Sequence, residues 1–83
     1  MAQVSVYPNP AKTSEFNLVM PSFDEKYEVT LFNDLGQKIA INQLTKTENG
    51  ARCIIKNTLA QGIYHIIIKT NTGDSVVKKW VIN

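Results

Sequence analysis

Apolar and polar residues alternate along most of this chain, and turn signals interrupt the alternation at fairly even spacing. A period of two is typical of half-buried β-strands, whose successive side chains point to opposite faces. The apolar positions are rich in Val, Ile and Tyr, which pack well on a pleated surface and lose rotamer freedom in helices. The pattern predicts an all-β sandwich whose seven strands are Val4–Tyr7, Glu15–Met20, Tyr27–Phe32, Gln37–Leu44, Arg52–Lys56, Ile63–Thr70 and Ser75–Ile82.

Glycine and asparagine mark several of the connections. Asn33–Gly36 and Asn71–Asp74 each contain a glycine, which adopts a positive φ at little cost. Asn49-Gly50 is a hairpin signal, whereas Cys53–Asn57 lacks clean alternation and could hold a bulge. The alternation predicts that the inward-facing residues of the second and third strands are Phe16, Leu18, Met20, Tyr27, Val29 and Leu31.

The alternation breaks down in the last two strands. The sixth strand is apolar at nearly every position, and the seventh ends in Trp80-Val81-Ile82. A strand that is apolar on both sides is either covered on both faces or leaves one face open for a partner. Tyr64 is expected to face the core, which leaves Ile63 and Ile67 on the opposite side. There they are covered by a loop or by lysine stems, or they form a docking patch for another protein.

Length and charge restrict the function further. The 83 residues are enough for a single domain, residues 1–83, and the net charge is only +2. Lysines and carboxylates are scattered without a long run of one sign, which argues against nucleic-acid and polybasic membrane binding. No apolar stretch reaches the ~20 residues of a transmembrane helix. Cys53 is the only cysteine, so the fold must be held by packing without an intrachain disulfide.

The chain contains few of the residues that catalysis requires. His65 is the only histidine, and the serines lie in edge or loop contexts without a nucleophile motif. One cysteine and one histidine cannot supply a zinc site. Neither a calcium loop nor a glycine-rich phosphate loop is present. We therefore expect no enzyme activity, no cofactor and no metal.

Four short sequence motifs follow one another along the chain. Tyr7-Pro8-Asn9-Pro10 follows the first apolar run, and Leu31–Gln37, Leu59–Tyr64 and Lys78–Ile82 come after it. Taken together, the order resembles the type A C-terminal sorting domain of the bacterial type IX secretion system. The resemblance extends from about Val4 to Asn83.

This resemblance implies an immunoglobulin-like β-sandwich of about seven antiparallel strands that acts as a secretion signal. The signal would direct a covalently fused N-terminal cargo from the periplasm through the outer-membrane translocon. A cell-surface sortase would then remove it, and the cargo would end at the cell surface or be secreted. The chain would be a piece of a larger secreted protein, with Met1 not native.

The resemblance also suggests roles for individual residues. The residues expected to contact the secretion machinery are Lys78, Lys79, Trp80, Val81, Ile82, Ile63 and Ile67, with Lys78, Lys79 and Trp80 exposed. The family-motif residues expected to serve the fold are Tyr7, Pro8, Asn9, Pro10, Leu31, Gly36, Leu59, Gly62, Tyr64 and Gly73. Among these, Tyr7, Leu31 and Tyr64 are expected in the core, and the glycines at positions of special backbone geometry.

A glycan-binding or adhesive module of a secreted hydrolase is the alternative function, because small β-sandwiches also serve that purpose. Such a module needs a flat aromatic platform. Most aromatic residues fall on the inward register of their strands, which favours a role in the core. Only Trp80, Phe32 and Phe23 remain as candidates for a platform, provided that the fold brings them to one face.

Overall fold

The computed structural model describes residues 4–20, 27–56, 58–71 and 73–83, which form eight β-strands and no helix. The prediction of an all-β fold is therefore confirmed. The strands are β1 (Ser5–Tyr7), β2 (Glu15–Val19), β3 (Tyr27–Asn33), β4 (Lys38–Ile39), β5 (Gln43–Thr47), β6 (Gly50–Ile54), β7 (Gly62–Thr70) and β8 (Ser75–Ile82).

The strands form two four-stranded antiparallel sheets that pack face to face. The first sheet has the order β1-β2-β6-β5, and the second has the order β4-β3-β7-β8. Immunoglobulin sandwiches place strands A, B, E and D in one sheet and C, F and G in the other. The present order is the same, with β4 added beside β3. The immunoglobulin-like sandwich is confirmed, with eight strands instead of about seven.

The predicted strand Gln37–Leu44 is wrong, because the chain changes sheets in the middle of it. β4 pairs with β3 in the second sheet, while β5 pairs with β6 in the first. Asn42 lies at the crossing point. Its backbone N–H donates to the carbonyl of Ile54 at 3.0 Å, and its Oδ1 accepts a hydrogen bond from the Lys56 N–H at 2.7 Å. The inward-facing positions change parity at this crossing, because Ile39 and Ile41 pack against the core before it, whereas Leu44 and Lys46 pair with buried residues of β6 after it.

The predicted strand Arg52–Lys56 is displaced by two residues, and β6 contains no bulge. Each β6 residue pairs with one residue of β2 and one of β5. The hairpin signal is correct, but Gly50 begins β6 instead of lying in the turn. A Cβ at Gly50 would overlap the carbonyl oxygen of Leu18. Glycine is thus required here by the close approach of β2.

Between the sheets, an aromatic cluster occupies the centre of the core. The rings of Phe16 and Trp80 lie 4.8 Å apart, and those of Tyr64 and Trp80 lie 6.0 Å apart. Such pairs contribute about 0.5–1.5 kcal/mol each beyond the area they bury. The Tyr64 hydroxyl donates to the carbonyl of Ala60 at 2.6 Å, as in the tyrosine corner of immunoglobulin domains. These contacts join β2, β7 and β8, and the predicted core positions of Phe16 and Tyr64 are confirmed.

Cys53 lies fully buried in β6 and forms no disulfide. Burial raises the pKa of its thiol to about 12. The thiolate is the reactive form of cysteine, so this side chain behaves as a small apolar core residue.

Candidate recognition surface

The proline-rich segment near the N-terminus lies along the free edge of β8. We call this segment, Pro8–Ala11, the clasp. The Asn9 side chain donates through Nδ2 to the carbonyl of Lys79 at 2.9 Å. Its Oδ1 accepts a hydrogen bond from the Val81 N–H at 3.0 Å. The side-chain amide therefore takes the place of a peptide group in a neighbouring strand.

Three further hydrogen bonds extend this contact. The Ala11 N–H donates to the Val81 carbonyl at 2.7 Å, and the Asn83 N–H donates to the Ala11 carbonyl at 2.9 Å. The Trp80 indole Nε1–H donates to the carbonyl of Pro8 at 3.0 Å. An open strand edge is a template for pairing with another chain. The clasp covers that edge from residue 79 to residue 83.

The motif residues around the clasp occupy different environments. Tyr7 is 52% exposed, so its predicted place in the core is wrong. It pairs with Asn17 on the outward side of the first sheet, whereas its neighbour Val6 packs against the core. The peptide bonds before Pro8 and Pro10 are both cis.

The remaining motif residues lie where the fold needs them. Leu31 is fully buried and Leu59 packs against the core. Gly36, Gly62 and Gly73 all have positive φ values. Of these, Gly62 has a φ of 151° at the entry to β7, a conformation that side-chain-bearing residues rarely adopt.

The residues expected to contact the machinery fall on two opposite faces. Trp80 is 0% exposed and Ile82 is 5% exposed, so the expectation that Trp80 is exposed is wrong. The reason is register, because Trp80 pairs directly with the core residue Tyr64. Lys78 pairs with the buried Ile66 and is therefore also on the inward side, where it is half-buried.

The other four of these residues share one surface. We call the side of the second sheet that points away from the first sheet the outer face. On this face Ile63 pairs with Val81, and His65 pairs with Lys79. Ile67 lies two residues after His65 in β7 and is therefore on the same face. Ile63 is 37% exposed and Ile67 is half-buried. The structure thus brings Ile63, Ile67, Lys79 and Val81 together and separates them from Lys78, Trp80 and Ile82.

Sequence reasoning missed three apolar residues of this region. Val77 pairs with Ile67 on the outer face and is 60% exposed. Phe32 pairs with His65 and is half-buried. Leu35, at the tip of the β3–β4 turn, is 84% exposed and shares a groove of about 370 Å³ with Ile63. The position of Val77 could have been predicted from the sequence, because Val77, Lys79 and Val81 are alternate residues of one strand and therefore share a face.

Charged groups border these apolar side chains. Pairing places Lys38, Phe32, His65 and Lys79 in one row across the four strands, with a lysine at each end. His65 Nε2 lies 3.4 Å from Asp34 Oδ1, and both side chains are partly exposed. No candidate nucleophile accompanies this pair in the described ranges, since Cys53 is buried in the other sheet.

The corresponding outward side of the first sheet is mostly polar. Arg52 Nη2 and Glu15 Oε1 form an ion pair at 3.2 Å across β6 and β2. Asn17 lies opposite Arg52 in β2, and Thr45 lies opposite it in β5. The two outward sides of the sandwich therefore differ in chemistry, and the apolar one is the outer face of the second sheet.

Two of the sheet edges carry a lysine that points inward. Lys46 of the edge strand β5 pairs with the buried Ala51, and its Nζ lies 5.3 Å from the centre of the Tyr27 ring. Lys78 has the equivalent position in the edge strand β8. Inward-pointing charges on edge strands oppose the addition of a further strand. Both of these edges are thus unfavourable for strand pairing. The outer face is the more apolar of the two outward sides and does not depend on a free edge.

Within the part of the chain that the structure describes, the aromatic platform expected for a glycan-binding module is not formed. Trp80 lies in the core, whereas Phe32 lies on the outer face, so the two cannot contact one flat ligand. Phe23 lies outside the described residues.

Among residues 4–20, 27–56, 58–71 and 73–83, no three His, Cys, Asp or Glu side chains are grouped so that they could hold a metal ion. The same part of the chain has no helix that is long and apolar enough to cross a bilayer.

Comparison with known proteins identifies the family. The search of curated proteins returned no match. In contrast, the family model described as secretion system C-terminal sorting domain matches residues 5–83, which is nearly the whole chain. Members of this family are C-terminal secretion signals of the type IX system. The chain therefore belongs to the family of type IX C-terminal sorting domains.

Proposed function

We propose that the type IX machinery recognises this secretion signal through the outer face, and that the partner is the outer-membrane translocon. The observation that carries the proposal is the difference between the two outward sides of the sandwich. One side is mostly polar and contains the ion pair of Arg52 with Glu15, with Tyr7 as its exposed aromatic residue, whereas the other exposes Ile63, Val77 and Leu35. Exposed apolar patches with a polar border are typical of protein interaction sites.

Two of the four edge strands, β5 and β8, oppose strand addition and so support recognition through a face. Recognition by strand addition would need an open edge, but the clasp covers β8 from residue 79 to residue 83, and Lys46 and Lys78 point inward. Binding to the outer face does not require a free strand edge. A partner can cover the apolar side chains of the outer face without any change in strand pairing.

The remaining steps of the proposal follow from the family. Residues 1–83 act as one non-enzymatic domain behind a fused cargo. The cargo crosses the periplasm and then the outer membrane through the translocon. A cell-surface sortase cuts upstream of Val4 and leaves the cargo on the surface or secreted.

An export assay tests the proposal. The segment Ala2–Asn83 is fused behind a periplasm-targeted fluorescent protein, and extracellular fluorescence is compared between an intact host and a translocon-deficient one. We expect release only from the intact host. Retention of a folded fusion in the periplasm of both hosts would refute the proposed partner.

Two variants of this fusion test the surface itself. Ile63→Ser combined with Ile67→Ser removes the centre of the outer face and is expected to abolish release. Ile54→Ser is the matched control, because Ile54 is also a half-buried isoleucine on the outward side of a central strand, but in the first sheet. Circular dichroism establishes that each variant is folded. Normal release from a folded Ile63/Ile67 variant would show that the machinery does not read this face.

A further inference from the structure

We infer that the partner of the outer face presents an apolar surface with carboxylates on both sides of it. This inference rests on the proposed function, because it describes the partner of the same surface. The observation behind it is the row Lys38–Phe32–His65–Lys79. Neighbouring strands lie about 4.8 Å apart, so the two lysines of this row are separated by about 14 Å at their Cα atoms.

Neither lysine forms an ion pair with a carboxylate that the structure describes. Among the described residues, ion pairs are formed only by Arg52 with Glu15 and by His65 with Asp34. A third lysine of the outer face, Lys69, pairs across the strands with Glu28, so its charge has an opposite charge beside it. Within this part of the chain, Lys38 and Lys79 are thus two positive charges without an ion-pair partner, one at each end of the row.

A positive charge on each flank selects the partner by its charge pattern. Carboxylates that face Lys38 and Lys79 would steer association, and they would exclude partners with basic flanks. Contacts at the border of an interface mainly change the association rate and its dependence on salt. The apolar side chains between the lysines, among them Ile63 and Ile67, would instead determine how long the complex lasts.

An anionic membrane surface is the competing partner for a basic and apolar face. Recognition of anionic lipids typically uses clusters of four to eight lysines or arginines. Among the described residues, the outer face carries three lysines, Lys38, Lys69 and Lys79, and Lys69 lies beside a glutamate. The charge pattern therefore favours a protein with acidic flanks over a lipid bilayer.

The test measures association of the reporter-fused domain with detergent-solubilised type IX translocon at two salt concentrations, ~50 and ~200 mM, between which electrostatic steering weakens. The combined charge reversal Lys38→Glu and Lys79→Glu is expected to lower the association rate about tenfold or more at the lower concentration. The loss should be clearly smaller at the higher concentration. Lys56→Glu is the control, because Lys56 is exposed and follows β6 of the first sheet.

The outcomes separate this inference from the proposed function. If the lysine reversal has no effect while Ile63→Ser with Ile67→Ser abolishes binding, the inference fails and the proposed function stands. If both variants still bind the translocon and are still exported, the outer face is not the recognition surface, and both the inference and the proposed function fail. Vesicles with about one-third phosphatidylglycerol serve as the membrane probe. Binding to these vesicles that equals binding to the translocon, and that disappears on lysine reversal, would assign the lysines to lipid and overturn the inference.

Discussion

Replacing Asn9 with alanine removes the side chain that joins the clasp to β8. Two hydrogen bonds are lost, one to the Lys79 carbonyl at 2.9 Å and one from the Val81 N–H at 3.0 Å. A neutral hydrogen bond contributes about 0.5–1.5 kcal/mol net. Both bonds lie at an exposed edge, where water can replace part of each. We therefore expect the free energy of unfolding to fall by about 1–2 kcal/mol.

That loss is large for a domain of 83 residues. At about 0.05–0.15 kcal/mol per residue, its total stability would be about 4–12 kcal/mol. A loss of 1 kcal/mol lowers the Tm of a domain of this size by about 4–8 °C. The expected decrease in Tm for Asn9→Ala is therefore about 4–16 °C.

Urea unfolding measures the change directly. Trp80 is the only tryptophan and is fully buried, so its fluorescence reports unfolding of the core. Asn9→Asp keeps the acceptor for Val81 but loses the donor, and should show an intermediate loss. Asn17→Ala is the control, because Asn17 is a half-buried asparagine of β2 that pairs with Arg52 of the first sheet and not with β8. If Asn9→Ala were as stable as that control, to within about 0.5 kcal/mol, the stabilising role of the clasp would be refuted.

Three further predictions concern the core and the corner before β7. Gly62→Val should lose about 1–3 kcal/mol because its φ of 151° is strained for valine, and an unchanged Tm would contradict this. Tyr64→Phe should lose about 1 kcal/mol with its hydrogen bond to Ala60, measured by urea unfolding. Cys53 should resist alkylation at pH 8 in the folded protein, because burial raises its thiol pKa to about 12 and keeps it protonated. Rapid labelling without urea would show that the site opens locally.

Much of the sandwich could be predicted from the sequence, because strands such as β2 show their buried face as a period of two. Phe16, Leu18 and Met20 illustrate this, since all three are buried as the alternation predicts. The change of sheet at Asn42 could not be predicted in this way. The alternation is interrupted at Asn42-Gln43, but an interruption does not say which strand the chain pairs with next, and the partner changes there from β3 to β6.

The residues of the outer face were predicted in part, and the reason again lies in the register. The sixth predicted strand placed Ile63 and Ile67 correctly on the side away from Tyr64. Trp80 is buried because it has the opposite parity in β8 to the exposed Lys79. The role of Asn9 had no local signal, since its partner Lys79 lies 70 residues away.

The direction of the clasp has a mechanical consequence. The clasp and the end of β8 run parallel, as the bridge between Ala11 and Ile82 shows. A force that pulls a cargo attached before Val4 away from a partner holding β8 would slide these two segments along each other. Their five hydrogen bonds would then share the load in shear instead of opening one after another. The clasp would thus add resistance to pulling close to β1, at the N-terminal side of the sandwich.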